Sequence, residues 1–477
     1  MPSPSFAHRR VVVMGIGRFG GGLGAVGHLL DRGASVLATD RLDAEALGQV
    51  HANLERLARE TGRLELRLGG HDPDDFRDAD LVVANPAVPA PWRDPCLQAA
   101  RDAGVPITTE IRLAIDALPG RRFVGVTGSV GKSSTAAMLH HALGRLGIPK
   151  ALGGNIGGSL LEDLDRIPRD AWVVLELSSF MLHWLAADRR PWSPDLAVLT
   201  TIRPNHLDWH LDFAHYVRSK AAIVGPASAT PLITRFEEDD PDAAHAAAEV
   251  AGTWWRDPAA RFAQTLARID PAAIDLRIPG EHQRRNARLA LSAILEIEGL
   301  DERPTTEMPR LLGLLEDFAG LPHRLADVAG PADLGVRFID DSKSTTPEAT
   351  RLAVESLGDR SRIHLIAGGH DKGADLEPIA SLAPSLAGLY AIGTTATPLA
   401  AHPRAILSGT LRQAFADLRP RLRVGDVVLL SPGCASWDQF RDYRARGAAF
   451  AEFAEFAFSA DRSDAAGSRA RTGADQS

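Results

Sequence analysis

The sequence is poor in features that would assign it to several classes of protein. Two cysteines among 477 residues provide no disulfide framework, so we expect a reducing, cytoplasmic environment. No stretch approaches ~18 uninterrupted apolar residues, so no membrane span is expected. The first fifteen residues, MPSPSFAHRRVVVMG, lack the apolar core of a signal peptide. With 53 basic and 61 acidic residues the net charge is −8, which argues against nucleic acid as the main partner.

Lysine is also scarce, and this scarcity is informative. Only five of the 53 basic residues are lysines, namely Lys132, Lys150, Lys220, Lys343 and Lys372. Arginine serves wherever any positive charge suffices, but it cannot replace a compact ammonium or an amine that loses its proton and reacts. The few lysines are therefore candidates for chemistry, and compositional drift is the alternative explanation.

The order of strand and helix patterns predicts an α/β fold with three domains. Strand-like apolar runs such as RRVVVMG, SVLATD and ADLVVANP alternate with helix-like segments, which is typical of parallel sheets. Equivalent runs open a second unit at RRFVGVTG and a third at VRFIDDS. We predict a Rossmann-like domain over residues 1–119, a central P-loop ATPase-type domain over 120–322 and a second Rossmann-like domain over 323–459. Residues 460–477, small and polar, are predicted to be a disordered tail.

A glycine-rich turn in the second unit predicts a phosphate-binding site. The segment TGSVGKSS follows a strand and precedes a helix, so its backbone N–H groups and the helix N-terminus favour an anion. Lys132 would reach the β- and γ-phosphates of a nucleotide, and Ser133 would bind Mg²⁺. The predicted ATP-binding residues of this turn are Thr127, Gly128, Ser129, Val130, Gly131, Lys132, Ser133 and Ser134.

Polar residues near the ends of two further strands are candidates for metal binding. AWVVLELSS carries Glu176, and PDLAVLTTI leads into RPNHLDWH, which carries His206. Carboxylate and imidazole groups bind divalent metals beside phosphates. Lys220 follows on a helix, and the alternative of a solvated surface lysine is weakened because this chain normally uses arginine for that role.

A second glycine-rich turn lies near the N-terminus. Gly15, Gly17 and Gly20 have the spacing G-x-G-x-x-G after a strand, and Asp40 lies twenty residues beyond the third glycine. Read alone, this pattern predicts a dinucleotide site and a nicotinamide enzyme.

Taken in order, the motifs resemble those of the Mur ligase family, and most closely its glutamate-adding branch. The resemblance covers nearly the whole chain and rests on TGSVGKSS, GGNIG, ELSSF, NHLDWH, the helix with Lys220, GEHQRRN, LPHR, DDSKSTTPEAT, GGHDKG and SPGCASWDQFRDYRARGAAF. DSK-x-T and the final block are the pieces specific to that branch. Gln283, Thr346 and Tyr443 depart from the usual pattern, as does Asn85-Pro86-Ala87 in place of Ser-Pro-Gly.

The resemblance implies an ATP-dependent amide ligase of peptidoglycan precursor synthesis. The expected substrates are UDP-N-acetylmuramoyl-L-alanine and D-glutamate, which are joined through an acyl phosphate with two Mg²⁺ ions. It further implies that Lys220 is carbamylated by CO₂ and binds one Mg²⁺, beside a metal set of Ser133, Glu176 and His206. Lys132, His206, Lys220 and Lys343 are the implied catalytic residues, and the enzyme is expected to be a monomer.

The resemblance also assigns residues to each substrate. The N-terminal turn would hold UDP rather than a nicotinamide cofactor, and the implied UDP-substrate residues are Gly15, Gly17, Arg18, Phe19, Asp40, Asn85, Asn155 and Ser179. The adenosine side would contact Asn286, His323, Arg324 and Asp341. The incoming glutamate would contact His206, Thr345, Lys372, Ser436 and Tyr443.

Several alternatives stay open from the sequence. A sister ligase from another Mur step or from the folylpolyglutamate branch would lack the final block, and an L-glutamate-adding variant would differ only in pocket geometry. A nicotinamide oxidoreductase with an accessory P-loop domain leaves three of the lysines unexplained. A catalytically inactive paralogue predicts the loss of Lys132, Glu176, His206 or Lys220, and all four are present.

Overall fold

The computed structural model is an α/β protein with three mainly parallel sheets. It describes residues 6–18, 20–188, 190–224, 230, 232–234, 269–278, 280–299, 308–370, 373 and 375–456. These residues form two compact units, one from within 1–274 and 286–315 and one from within 275–285 and 316–477. The first unit contains two sheets and the second contains one.

The first sheet is entirely parallel, with strand order β3-β2-β1-β4-β5. Its strands are β1 (Arg10–Met14), β2 (Ser35–Asp40), β3 (Leu64–Leu68), β4 (Leu81–Ala84) and β5 (Ile107–Thr108). Its helices are α1 (Gly21–Asp31), α2 (Ala44–Leu47), α3 (Gln49–Thr61), α4 (Pro73–Arg77), α5 (Pro95–Asp102) and α6 (Glu110–Asp116). The β-branched run at β1 lies buried in the middle of the sheet, as expected for a strand covered on both faces.

The second sheet is also parallel, with strand order β10-β9-β6-β8-β7. Its strands are β6 (Arg122–Thr127), β7 (Lys150–Gly154), β8 (Trp172–Glu176), β9 (Leu196–Leu199) and β10 (Leu232–Thr234). The helices that follow along the chain are α7 (Lys132–Arg145), α8 (Ser179–Ala187), α9 (Phe213–Ala221), α10 (Glu281–Ile297) and α11 (Met308–Leu312). The phosphate turn, Glu176 and the loop after β9 therefore follow the carboxyl ends of three adjacent strands, where ligands of open α/β sheets bind.

The third sheet belongs to the second unit and has the order β11-β12-β16-β13-β14-β15, with only β11 antiparallel to its neighbour. Its strands are β11 (Ala326–Val328), β12 (Arg337–Asp340), β13 (Ile363–Gly368), β14 (Gly388–Ile392), β15 (Ala405–Gly409) and β16 (Val427–Leu430). Its helices are α12 (Pro347–Ser356), α13 (Glu377–Ala380), α14 (Ala396–Leu399), α15 (Leu411–Leu418) and α16 (Tyr443–Phe456). Thr346 caps α12 by accepting a hydrogen bond from the backbone N–H of Ala349, which gives this unusual residue a structural role.

Specific polar contacts join the first two sheets within the first unit. The indole N–H of Trp209 donates to the Val88 carbonyl at 2.9 Å, and the Arg112 guanidinium donates to the Arg190 carbonyl at 2.5 Å. Ser159 donates to Glu110 at 2.5 Å. The predicted α/β class is thereby confirmed, whereas the exact domain boundaries stay a prediction and the tail 460–477 lies outside the described residues. No described helix has both the length and the apolar character needed to cross a bilayer.

Two glycines of α1 differ in the space around them and allow a matched test. A Cβ at Gly22 would collide with the backbone of Ile16, whereas nothing lies within 4 Å of a Cβ built at Gly27. We predict that Gly22→Ala destabilises the first unit by about 1–3 kcal/mol through overpacking. Gly27→Ala should instead stabilise it by about 1 kcal/mol, because alanine favours helix. Urea denaturation of both variants provides the measurement, and equal effects would contradict the packing argument.

Candidate active site

The phosphate turn connects β6 to α7 and needs glycine at two positions. Gly128 and Gly131 adopt φ values of 143° and 88°, a region that favours glycine. A side chain at Gly128 would collide with the Thr200 hydroxyl, and one at Gly131 would collide with the Asn286 amide. The structure thus places Asn286, an implied adenosine contact, directly beside the turn.

Ser129 holds the turn against the segment that follows β9. Its hydroxyl accepts a hydrogen bond from the Arg203 N–H at 2.8 Å and lies 2.6 Å from the Tyr216 hydroxyl. Its own N–H donates to the Thr201 carbonyl at 2.7 Å. Because both groups are engaged inside the protein, Ser129 shapes the turn in this structure.

Lys220 is buried beneath the turn, with 2% of its surface exposed. Its Nζ donates to the Gly128 carbonyl at 2.8 Å and to the Thr127 hydroxyl at 3.3 Å. Burial and the positive charge of Lys132 lower the pKa of Lys220 well below its ordinary value, although Glu176 acts in the opposite direction. The neutral amine, which is the nucleophilic form, is therefore favoured.

Other predicted residues of the turn lie at the start of α7. Lys132 is its first residue, and its Nζ donates to the Ser129 carbonyl at 2.9 Å. Ser133 and Ser134 are both buried, whereas Val130 is 38% exposed. The turn therefore combines a helix N-terminus with one flexible ammonium, the arrangement expected for phosphate.

Glu176 ends β8 beside the turn and keeps one oxygen without a partner. The side chain is 2% exposed, and its Oε1 accepts a hydrogen bond from the Asn155 amide at 3.1 Å. Its Oε2 is buried and accepts no hydrogen bond. Such an orphaned carboxylate oxygen is expensive unless a cation or a donor comes to it. Among the described residues, no three histidine, cysteine, aspartate or glutamate side chains cluster in a metal-binding arrangement.

His206 is exposed in the loop after β9 and adopts a positive φ of 54°. Its ring lies 4.9 Å from that of Phe180. This places the implied catalytic histidine beside α8, close to the ELSSF motif.

Ser179 is hydrogen-bonded to a chain of three histidines. His210 Nε2 lies 2.9 Å from the Ser179 hydroxyl, and His210 Nδ1 lies 3.4 Å from His215 Nδ1. His215 Nε2 in turn lies 3.2 Å from His183 Nδ1.

A backbone hydrogen bond fixes the direction in which the histidines donate to one another. The Leu211 N–H donates to His215 Nδ1 at 3.3 Å, so that nitrogen is an acceptor. His210 must then donate from Nδ1, and its Nε2 accepts the proton of the Ser179 hydroxyl. The oxygen lone pairs of Ser179 are therefore left to accept a hydrogen bond from another group. The family resemblance implies that Ser179 contacts the muramoyl substrate.

The N-terminal turn is closed by Asp40 and Asn85. One Asp40 oxygen accepts the Gly17 N–H and the other accepts the Leu42 N–H, both at 2.8 Å. The Asn85 amide donates to the Gly15 carbonyl at 2.9 Å, so the unusual Asn85 has a structural role here. Arg18 is exposed in the turn, and Phe19 lies outside the described residues.

In the second unit, four predicted residues lie close together. Lys343 Nζ lies 4.0 Å from the centroid of the Tyr443 ring. The centroids of the Tyr443 and His323 rings are 5.8 Å apart. Burial alone would raise the pKa of Tyr443, but Lys343 and Arg444 outweigh it and lower that pKa. Arg324 follows His323 and interacts electrostatically with the Asp341 carboxylate.

The Asp341 carboxylate is committed within the fold. It accepts hydrogen bonds from Ser344 at 2.5 Å, from Ser431 at 2.8 Å and from the Leu325 N–H at 3.3 Å. Burial nevertheless raises the pKa of Asp341 to about 6. In this structure Asp341 therefore joins the DSK-x-T segment to the end of β16.

Arg446 is a residue of this region that the sequence did not single out. It is 1% exposed and donates to the Ser342 hydroxyl and carbonyl and to the carbonyls of Cys434 and Ala435. It thereby holds the SPGCAS loop, including buried Ser436, against DSK-x-T. Thr345 is half-buried there, and Lys372 lies outside the described residues.

Comparison with known proteins identifies the family. Residues 9–109 match the Mur ligase MurD-like N-terminal domain, and residues 126–294 match the Mur ligase middle domain. The UDP-N-acetylmuramoylalanine–D-glutamate ligase of Rubrobacter xylanophilus is 35% identical, covering 93% of this chain and 97% of that protein. The chain belongs to the Mur ligase family. A ligase of the same name from Sphingopyxis alaskensis is also 35% identical, over 94% and 97% of the two chains.

Solved Mur ligases share the fold at low identity. The UDP-N-acetylmuramate-alanine ligase of Thermotoga maritima superposes with a TM-score of 0.57 at 18% identity, covering 93% of this chain and 99% of that one. The MurF ligase of the same organism, solved with ADP, gives 0.51 at 17% identity over 89% and 91%. Family membership confirms the ligase class and the use of ATP, and it excludes the oxidoreductase alternative.

The buried histidines of this Mur ligase predict how its stability responds to acid. Burial lowers the pKa of His183 to about 4 and that of His210 to about 3. Below pH 6.5 the unfolded chain binds these protons and the folded chain does not, so stability falls as the pH drops toward 4. The slope reaches at most about 1.4 kcal/mol per pH unit for each histidine.

The raised pKa of Asp341 makes its protonation stabilise the fold as the pH falls, which opposes the effect of the histidines. Because Asp341 is present in both proteins, comparing the wild type with His210→Asn isolates the contribution of His210. The free energy of unfolding between pH 7 and 5 should fall less steeply in the variant. Equal slopes in the two proteins would show that His210 is not held neutral by the fold.

Proposed function

We propose that this Mur ligase joins D-glutamate to UDP-N-acetylmuramoyl-L-alanine, with ATP hydrolysed to ADP and phosphate. The relatives at 35% identity carry that activity in their names and align along more than nine-tenths of both chains. The DSK-x-T segment and the final block beginning SPGCAS, which indicated the glutamate-adding branch, are both present. The enzyme would work on nucleotide-linked precursors in the cytoplasm, and its monomeric state stays a prediction.

The observation that carries this proposal is the arrangement around the phosphate turn. An anion-binding turn, a buried carboxylate with an unpartnered oxygen and a buried lysine with a lowered pKa lie together at one edge of the second sheet. Activation of a carboxylate by ATP requires these properties, because negative charge accumulates where two anions react.

The reaction follows from the chemistry of the substrates. A carboxylate oxygen of the alanine forms a bond to the γ-phosphorus of ATP, and the bond from that phosphorus to ADP breaks. The glutamate amine then attacks the acyl carbon, the C–O bond to phosphate breaks, and the nitrogen releases a proton. Lys132 at the turn would neutralise charge on the transferred group, and Lys343 would act near the acyl centre or the phosphates.

Ser133, Glu176, His206 and modified Lys220 are the residues that would hold Mg²⁺. The unpartnered Oε2 of Glu176 fits this role, since a buried carboxylate oxygen is a ligand that Mg²⁺ prefers. Bound Mg²⁺ would offset the negative charge of the phosphate oxygens.

Lys220 is proposed to carry a carbamate. Its deprotonated amine attacks the carbon of CO₂: an N–C bond forms, one C–O π bond breaks with its electron pair moving to oxygen, and one proton leaves the nitrogen. The product is an anion that provides oxygen ligands. An arginine at this position would stay protonated and could not undergo this conversion.

The substrate contacts are proposed residue by residue. Asn155 and Ser179 would contact the muramoyl substrate, where the fixed direction of the histidine chain presents Ser179 as an acceptor. The N-terminal turn, with Gly15, Gly17, Arg18, Phe19, Asp40 and Asn85, would hold UDP. Asn286, His323, Arg324 and Asp341 would lie on the adenosine side, and His206, Thr345, Lys372, Ser436 and Tyr443 would surround glutamate.

A pair of lysine variants tests the role of Lys220. Lys220→Met and Lys220→Arg should each lower kcat by about 100-fold or more, because neither side chain becomes an anion. Lys150→Met is the matched control, since Lys150 donates only to the His140 carbonyl on α7 among the described contacts and should keep its activity. Phosphate release and ¹³C NMR with labelled bicarbonate provide the measurements. Substantial activity in Lys220→Arg would disprove the carbamate.

The substrate assignment is tested by measuring phosphate release with UDP-N-acetylmuramoyl-L-alanine, ATP and Mg²⁺. We expect turnover with D-glutamate and little with L-glutamate, and none when glutamate is omitted. Faster turnover with the L-isomer would establish the L-glutamate-adding alternative. No turnover with either isomer, but turnover with another amino acid, would place the enzyme at a different Mur step.

A further inference from the structure

A pocket of about 530 Å³ lies at the edge of the first sheet that is opposite to the N-terminal glycine turn. Arg9, Leu81 and Pro106 line it, and they lie at or just before the amino ends of β1, β4 and β5. The glycine turn follows the carboxyl end of β1, so about 16 Å of strand separates the two places. The pocket lies entirely within the first unit, and no residue proposed above for substrate or metal lines it.

The pocket is positively charged although the chain as a whole is acidic. Five arginines and two aspartates line it. Both aspartates are paired: Asp116 with Arg112 and Arg190, and Asp188 with Arg112. Within the described part of the chain, the remaining arginines form no ion pair with a carboxylate; these are Arg9, Arg32 and Arg101. An anion entering the pocket would therefore meet three guanidinium groups that have no ion-paired carboxylate, of which Arg101 also donates to the Pro91 carbonyl at 3.0 Å.

Two buried polar atoms of the pocket residues lack a hydrogen-bond partner. Thr109 is 1% exposed and occupies the N-cap position of α6, yet its hydroxyl makes no capping bond and no other hydrogen bond. The indole N–H of Trp184 is likewise buried and unpaired. Each such group destabilises the structure unless a hydrogen-bond partner comes to it. Both residues line the cavity, but the two unpaired atoms themselves have almost no accessible surface, so a ligand reaches them only when the wall shifts on binding.

The remaining wall is apolar and uncharged. Phe6, Val105 and Leu113 contribute hydrophobic surface. Burial and the charge of Arg32 lower the pKa of His28 to about 4, so this imidazole is neutral at pH 7. A ligand for this pocket needs an apolar body as well as an anionic group.

We propose that this pocket is a second binding site, distinct from the substrate sites, for a small aromatic or apolar carboxylate. Arg9, Arg32 and Arg101 bind the carboxylate, and a shift of the wall on binding lets the orphaned groups of Thr109 and Trp184 hydrogen-bond to the ligand. The apolar body packs against Phe6 and Leu113.

Isothermal titration of the full-length protein with 1-naphthoate tests this site, with neutral 1-naphthamide as the matched probe. We expect saturable binding of naphthoate and at least tenfold weaker binding of the amide. The Arg9→Gln/Arg32→Gln double variant should lose about tenfold in affinity, whereas Arg59→Gln, an exposed arginine of α3, should lose none. Equal affinity for the two probes, or no binding of naphthoate, would overturn the proposal.

Two further variants separate a ligand-binding role from a structural one. Thr109→Val and Trp184→Phe keep the shape of the wall and remove the orphaned groups, so each should weaken naphthoate binding without lowering the thermal midpoint. A lowered midpoint with unchanged affinity would mean that these groups serve the fold, and it would overturn their assignment. Displacement of naphthoate by ADP would place the probe at the phosphate turn and also overturn the proposal. None of these results depends on which amino acid the ligase adds.

Discussion

The burial of one amine beneath the phosphate turn is the constraint on which the candidate site depends. Lys220 loses nearly all contact with water, and among the described residues it gains two hydrogen bonds to the turn, a contact with the Tyr216 ring and the attraction of Glu176. An ammonium in this position is costly beside Lys132, so the fold favours the neutral amine. The phosphate turn must also be held rigidly, and the contacts of Ser129 with Arg203 and Tyr216 hold it. Anion binding and amine chemistry are therefore consequences of one packed structure.

The scarcity of lysine pointed to this site because guanidinium and ammonium groups differ in what they can do when buried. Lys132 and Lys220 lie at the turn, and Lys343 lies against Tyr443. Lys150 shows the other reason to keep a lysine. It donates to the His140 carbonyl, and its Nζ lies where a side chain at Gly144 would otherwise be. The missing side chain at Gly144 leaves the space that the Lys150 ammonium occupies.

Local patterns predicted the buried strands well, and the rest required tertiary contacts. The apolar runs at β1 and β6 are confirmed as central strands because burial on both faces leaves a continuous hydrophobic sequence. β3 was missed although LELRL alternates between apolar and charged residues, as a half-buried strand does, and β7 was missed because its sequence KALGG contains two glycines. At the site, motifs placed the turn, yet no local pattern indicates that Arg446 joins two loops about a hundred residues apart.

The N-terminal turn shows why a motif can be correct about geometry and wrong about the cofactor. G-x-G-x-x-G describes a backbone that can approach a diphosphate, and that property is shared by dinucleotides and UDP sugars. The acidic residue that normally completes a dinucleotide motif is Asp40, and both of its oxygens already accept backbone N–H groups within the turn. These contacts of Asp40 therefore account for the shape of the loop, and no ribose is needed as a partner for its carboxylate. Chemistry has to be inferred from the reactive groups elsewhere in the chain, and those groups are the lysines and Glu176 of the second sheet.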